Sequence, residues 1–226
     1  MKKEIKYLMI VALVVSGLAL AGVLTLFGSK VVTNENEKTI QKTTENPSYP
    51  LVSNLVAAHS FVYGPADAKV TVIEFFDPEC ESCAAVSPYI KKEMKFYEGK
   101  VRWVFRYMPY HRNSKAALAA LEAARKQNLF LEAMEQLFVH QKVWGEKQEA
   151  TNEEINKIIL SINGINKNKY LKDLADQNIE NLLKQDEAEG KQAGVKGTPT
   201  FFVNGVIMEQ LDLDALISKI NSELGK

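Results

Sequence analysis

The chain has 226 residues, 28 basic and 28 acidic side chains, and only two cysteines. An apolar content of 46% excludes a largely disordered chain, and two cysteines exclude a disulfide-stapled scaffold. The zero net charge implies no nucleic-acid partner, and the length fits one ordinary domain with some residues to spare.

The zero charge averages unlike parts. Lys2, Lys3, Lys6 and Lys30 against Glu4 give the first 30 residues a net +3, so the remainder carries −3. Between these charges runs YLMIVALVVSGLALAGVLTLF, Tyr7 to Phe27, without a charged residue. As a helix it would be about 31 Å long, which matches a bilayer core. The positive flank predicts a cytoplasmic N-terminus and an exported remainder. Ala19-Leu20-Ala21 resembles a cleavage site, but Val23, Leu24, Leu26 and Phe27 continue the apolar run beyond it. The sequence therefore favours an uncleaved single-pass anchor in a bacterial cell membrane over a cleaved signal peptide. Cleavage would leave a soluble periplasmic or secreted protein; both readings give export.

Residues 30–58 form the expected linker. The stretch VVTNENEKTIQKTTENPSYP is rich in Thr, Asn, Glu and Lys, and buries too little to offset ordering entropy. The expected organisation is a cytoplasmic flank and anchor over 1–29, this linker, and a folded domain over 59–226.

Val70 to Phe76, VTVIEFF, is dense in β-branched and aromatic residues and reads as a strand buried on both faces. Gly64-Pro65-Ala66-Asp67 before it reads as a turn. Asp77-Pro78-Glu79-Cys80-Glu81-Ser82-Cys83 follows, then a helix pattern to about Tyr97, with Gly99 after it. Cys80 thus falls at a helix N-terminus, where unpaired N–H groups and the helix dipole favour thiolate over thiol. Cys83 sits one turn deeper on the same face and can close a disulfide with Cys80 or resolve a mixed one.

Other roles for the pair are weaker. A structural disulfide closing so short a loop would contribute only about 2 kcal/mol in the loop-entropy account. Zinc needs about four ligands, and there is no second Cys-x-x-Cys. Cu(I) held by two thiols stays open. Glu74, inside the apolar strand, is expected to be buried with a raised pKa and to exchange a proton with a thiol. Pro88 inside the helix removes a hydrogen bond at a cost of about 3 kcal/mol.

Val101 to Met108 reads as a second strand, ended by Pro109. Four helices are then expected: one after Asn113 or Ser114, one from Leu129 to about Gln141, one opened by a Thr151–Glu154 capping box, and one from Tyr170 to about Ala188. Sheet character returns at Thr200 to Val203, with Asn204-Gly205 as a hairpin turn and Val206 to Met208 as the returning strand. Asp212 or Asp214 opens a last helix.

This order resembles the thioredoxin fold, and the helical insert at about 111–193 makes the chain similar to DsbA-like thiol:disulfide oxidoreductases. The resemblance rests on Cys80-Glu81-Ser82-Cys83, Glu74, Pro88 and Gly197-Thr198-Pro199-Thr200-Phe201-Phe202-Val203-Asn204-Gly205. The fold class is therefore α/β: a thioredoxin-like fold with an all-helical insertion, preceded by a transmembrane helix. The resemblance implies that Cys80 attacks, Cys83 resolves and Glu74 is the buried acid beneath the pair. It further implies that Pro199 is a cis-proline opposite the cysteines and that Thr198 pairs with extended substrate. No cofactor is implied beyond the redox-active cysteine pair, and no metal. The implied partners are exported proteins or peptides and a membrane redox partner that recycles the pair, with the enzyme itself a monomer.

Strongly oxidising members carry a histidine between the cysteines; here Glu81 and Ser82 stand there as tuning residues. Glu81 forms an acidic cluster with Asp77 and Glu79, expected to oppose the Cys80 thiolate and make the disulfide less oxidising than in a histidine-containing member. His111 is expected to be structural. The leading expectation is a membrane-tethered oxidase of exported proteins. A reductase or isomerase kept reduced, and a Cu(I)-binding or client-holding module on the same fold, are the alternatives.

Overall fold

A computed structural model describes residues 55–226. The expected anchor at Tyr7–Phe27 and most of the expected linker lie outside these residues. Among the described residues no helix is long and apolar enough to cross a membrane.

Five strands form one sheet: β1 (Phe61–Tyr63), β2 (Val70–Phe76), β3 (Val101–Tyr107), β4 (Thr200–Val203) and β5 (Val206–Ile207). Their spatial order is β1-β3-β2-β4-β5. Only β2 and β3 run parallel, and α1 (Glu81–Phe96) makes the crossover that a parallel pair requires. The other pairs are antiparallel. The β4–β5 hairpin turns at Asn204 and Gly205, both with positive φ (48° and 81°), as a tight two-residue turn demands.

The two-residue period of β2 decides what each face carries. Val70, Val72 and Phe76 join the larger core, with α1 and the helical insert. Ile73 and Phe75 face the other way, onto Leu55, Val104, Met108 and Phe202. Glu74 shares the parity of Val72 and Phe76, so it lies beneath α1 and the insert.

The insert comprises α2 (Ser114–Arg125), α3 (Phe130–Val139), α4 (Gln141–Trp144), α5 (Asn152–Leu160), α6 (Lys167–Leu174) and α7 (Asn178–Gln192). Helix α2 packs against α3, α5, α6 and α7. Its alanines 117, 120, 123 and 124 are fully buried, and their small side chains permit this crowding. Helix α7 closes the second face of the sheet. At Gly190 a Cβ would lie 2.6 Å from Met108 Sδ and 3.0 Å from the Phe75 ring, so only glycine allows this approach. The last helix, α8 (Leu213–Gly225), is capped by Asp212, whose carboxylate accepts from Ala215 N at 2.9 Å.

Four local expectations are corrected. The helix expected from Tyr170 to Ala188 is two helices, because the Asp176 carboxylate accepts from Asn178 N at 2.9 Å and starts α7 afresh. Thr151 does not cap α5 through its side chain; its hydroxyl donates to the Trp144 carbonyl at 2.8 Å. The β1 strand went unrecognised, since three half-buried residues carry too little pattern. Leu55, expected in the linker, is buried, and its carbonyl accepts from Arg106 Nη1 at 2.6 Å.

Arg106 anchors a buried ionic network on the α7 side. Its guanidinium donates to Asp186 (2.8 Å) and Glu189 (2.5 Å). Asp186 also accepts from Tyr107 N at 2.8 Å and lies 2.5 Å from His59 Nε2. Both Arg106 and Asp186 are fully buried. Such a pair is stabilising only because every charge is matched by hydrogen bonds.

Candidate active site

Strand β2 ends at Phe76, and a three-residue turn delivers Cys80 to the N-cap of α1. Cys80 N donates to the Asp77 carbonyl at 3.1 Å, and the Cys80 carbonyl accepts from Ala84 N at 3.1 Å. Both cysteines are free thiols. Cys80 retains 9% exposure and Cys83 none, so the two are not equivalent: only Cys80 is open to a large partner.

The Cys80 thiol donates to the Thr198 carbonyl across 3.3 Å. The Thr198–Pro199 peptide is cis, and Pro199 is buried. The cis peptide bond thus places the Thr198 carbonyl against Cys80.

The local environment splits the two thiols. The Cys80 pKa is lowered to about 5, chiefly by the hydrogen bond from Cys83. Burial opposes this; the Thr198 side chain and the backbone N–H groups of Cys83 and Ser82 reinforce it. Burial pushes the Cys83 thiol up, aided by its hydrogen bond to Cys80 and by the charge of Glu74. Glu74 itself is raised to about 8, first by burial and then by the Cys80 charge. At neutral pH the favoured arrangement is a Cys80 thiolate, a Cys83 thiol and a protonated Glu74.

Two carboxylates of the acidic cluster are buried and paired. Asp77 is fully buried and spends both oxygens on donors. Oδ1 accepts from Glu79 N (2.9 Å) and Ser114 Oγ (2.5 Å); Oδ2 accepts from Tyr110 N (2.8 Å). Glu79, also buried, accepts from Asn113 N (2.6 Å) and Glu146 N (2.9 Å). These carboxylates clamp the active-site turn to the insert, and dedicated donors compensate their charge. Glu81 and Ser82 are exposed.

His111, expected to be structural, lies close to the cysteine pair. Its Nδ1 lies 2.8 Å from Asp77 Oδ2, beside the active-site turn. Burial, the largest single influence, lowers its pKa; the hydrogen bond and charge of Asp77, then Cys80 and Glu79, raise it overall. Gln141 was not foreseen at all. Its Nε2 donates to the carbonyls of Pro78 (2.9 Å) and Cys80 (3.1 Å), a second clamp from the insert. The only sequence signal for these clamps was the Asp77-x-Glu79 spacing before Cys80. Among the described residues no group of three or more His, Cys, Asp or Glu is placed to hold a metal.

A strand-to-helix dithiol facing a cis-proline defines a thioredoxin-class redox site. The family model for thioredoxin matches residues 57–222. The chain belongs to this family, in its DsbA-like branch.

Among curated relatives, the probable disulfide bond formation protein D of Bacillus anthracis is 30% identical over 172 residues, covering 72% of this chain and 77% of that protein. A Na(+)/H(+) antiporter, NhaA 3, of Salinispora tropica is 32% identical over 147 residues, 64% of this chain. The match takes in only 21% of that antiporter, about a fifth of its length. Oxidised BdbD of Bacillus subtilis superposes with a TM-score of 0.65 at 26% identity, covering 74% of this chain and 94% of BdbD.

Proposed function

We propose that the protein is a thiol:disulfide oxidoreductase that oxidises exported proteins, held at the membrane by its N-terminal segment. One observation carries this reading: Cys80, with its thiol lowered to about 5, lies beside the Thr198 carbonyl and the cis-proline. A stabilised thiolate stabilises the reduced form and so makes the disulfide a better oxidant. This favours the oxidase over a reductase kept reduced, and a value of about 5 stays compatible with a weaker oxidant than the histidine-containing members.

The exchange proceeds in two displacements. A substrate thiolate attacks Cys80 Sγ of the Cys80–Cys83 disulfide, forming a mixed disulfide and expelling Cys83 as thiolate. Cys83 takes a proton, which Glu74 supplies, since its acid form persists to about pH 8. A second substrate thiolate then attacks the substrate sulfur and expels Cys80 as a stable thiolate. The substrate dithiol is oxidised and the cysteine pair reduced; a membrane redox partner returns the pair to the disulfide. Extended substrate pairs with the backbone at Thr198.

The membrane part of the reading rests on the uncharged run Tyr7–Phe27 and the lysines before it. Residues 1–29 anchor the chain and residues 30 onward lead to the extracytoplasmic domain.

The test is trapping in cells. Cys83→Ala should accumulate mixed disulfides through Cys80, and acid-quenched alkylation should find the wild-type pair mainly oxidised. A Cys83→Ala chain that traps no client sinks the enzyme reading; a wild-type pair found mainly reduced sinks the oxidase direction.

A further inference from the structure

Between α1 and α3 lies a cavity of about 320 Å³, separate from the Thr198–Pro199 side of the cysteine pair. Met94, Phe105, Leu131, Met134 and Phe138 make its apolar wall. Pro88 contributes to the α1 side and offers no N–H to the Ala84 carbonyl one turn back, so that carbonyl lacks its usual helical partner. At the mouth Lys91 and Glu135 form a 2.6 Å ion pair, both well exposed, and Val139 beside them is 67% exposed.

Glu74 also lines this cavity. It is only 6% exposed, yet among the described residues its carboxyl has no hydrogen-bond partner. The carboxyl faces the cavity, and a ligand hydroxyl there makes the hydrogen bond that the protein does not supply. The apolar wall calls for an apolar body. The mouth pair cancels its own charge, and a carboxyl that stays protonated to about pH 8 adds none, so a neutral ligand fits better than an ion. The volume exceeds the roughly 150 Å³ that suffices for benzene in an apolar cavity.

We propose that this cavity is a binding site for a small neutral molecule with an apolar body and one hydroxyl, whose hydroxyl hydrogen-bonds to Glu74. The site shares Glu74 with the disulfide-exchange reading but needs no redox step, and its test reads binding alone.

Benzyl alcohol and toluene are suitable probes, one with the hydroxyl and one without. The full-length protein, labelled with ¹³C at its methionine methyls, reports occupancy through Met94 and Met134 in the wall; Met108 and Met208 lie elsewhere and serve as controls. Benzyl alcohol should shift Met94 and Met134 saturably and leave the controls unmoved. Glu74→Leu should lower the benzyl alcohol to toluene affinity ratio about fivefold, the worth of one hydrogen bond, while Glu74→Gln keeps it. Ser87→Leu, which fills the cavity from α1, should abolish both shifts. An unsaturable response, equal shifts at the controls, or an unchanged ratio in Glu74→Leu would overturn the proposal. Met94 and Met134 signals that depend on protein concentration before any probe is added would also overturn it, since a second copy would then cover the mouth.

Discussion

The Cys80 thiol and the Thr198 carbonyl meet across 3.3 Å although 118 positions separate them in the chain. The contact joins the start of α1 to the loop before β4, and it exists because β2 and β4 are sheet neighbours. The Thr198 side chain also favours the thiolate. Thr198→Val keeps the shape and removes that hydroxyl. The Cys80 pKa should rise by up to about one unit, read by thiolate absorbance near 240 nm in the reduced protein. A value that stays near 5 would show that Cys83 and the backbone amides suffice.

Glu74 and Cys80 give opposite pH dependences of stability. Glu74 is raised to about 8, so the folded state holds its proton where the unfolded chain has lost it, and stability falls as pH rises from about 4.5 to 8. Cys80 is lowered to about 5, so in the reduced protein stability rises between about pH 5 and 9. Oxidation removes the Cys80 contribution. Denaturant titrations of the oxidised protein should therefore lose stability toward pH 8, and Glu74→Gln should flatten that loss. Parallel pH profiles for oxidised wild type and Glu74→Gln would contradict the buried position of Glu74.

Asp77 holds His111 beside the active-site turn through its Oδ2. The imidazolium then favours the nearby thiolate, in a chain that has no histidine between its cysteines. His111→Ala should raise the Cys80 pKa by less than about one unit. Because the histidine pKa is raised in the fold, its stabilisation is present below about pH 6.5 and fades as pH rises through the folded value. The ring ¹H NMR titration of His111 should accordingly shift downward in Asp77→Asn. No shift would mean that Asp77 does not act on the ring.

The buried Arg106–Asp186 pair makes a separate stability prediction. Asp186→Leu leaves the buried Arg106 guanidinium with Glu189 as its remaining carboxylate and Tyr107 N without its acceptor, and should cost about 3 kcal/mol in urea unfolding. Arg106→Met combined with Asp186→Leu should cost clearly less than the sum of the single variants. Strict additivity would show that the two groups do not act as one unit.

The turn that carries Cys80 is held by residues from the insert. Gln141→Leu withdraws the donor shared by the Pro78 and Cys80 carbonyls and leaves them unpaired on that side. The expected loss is about 1–3 kcal/mol, with amide exchange accelerated at the start of α1. Unchanged protection there would assign the rigidity of the turn to Asp77 and Glu79 alone.

The sequence by itself determined the features that are local. The VTVIEFF strand, the Cys-x-x-Cys at a helix start, the Thr-Pro strand and the Asn-Gly turn each depend on residues adjacent in the chain. The two-residue period of β2 even fixed which neighbours share a face with Glu74. Packing between distant elements decided how the carboxylates around the cysteine pair are matched. Asp77 and Glu79 read as a repulsive cluster because their donors lie 33 or more positions away, at Tyr110, Asn113, Ser114 and Glu146. The placement of His111 and of Gln141 beside the turn has no local signal for the same reason. A carboxylate's effect depends on which donors reach it and how much water is excluded, and both are set by packing between distant elements. The two cysteines with which the composition began are made unlike in two ways: local contacts from Cys83 and Ser82 lower the Cys80 thiol, while burial and the charge of Glu74, which only packing supplies, raise Cys83.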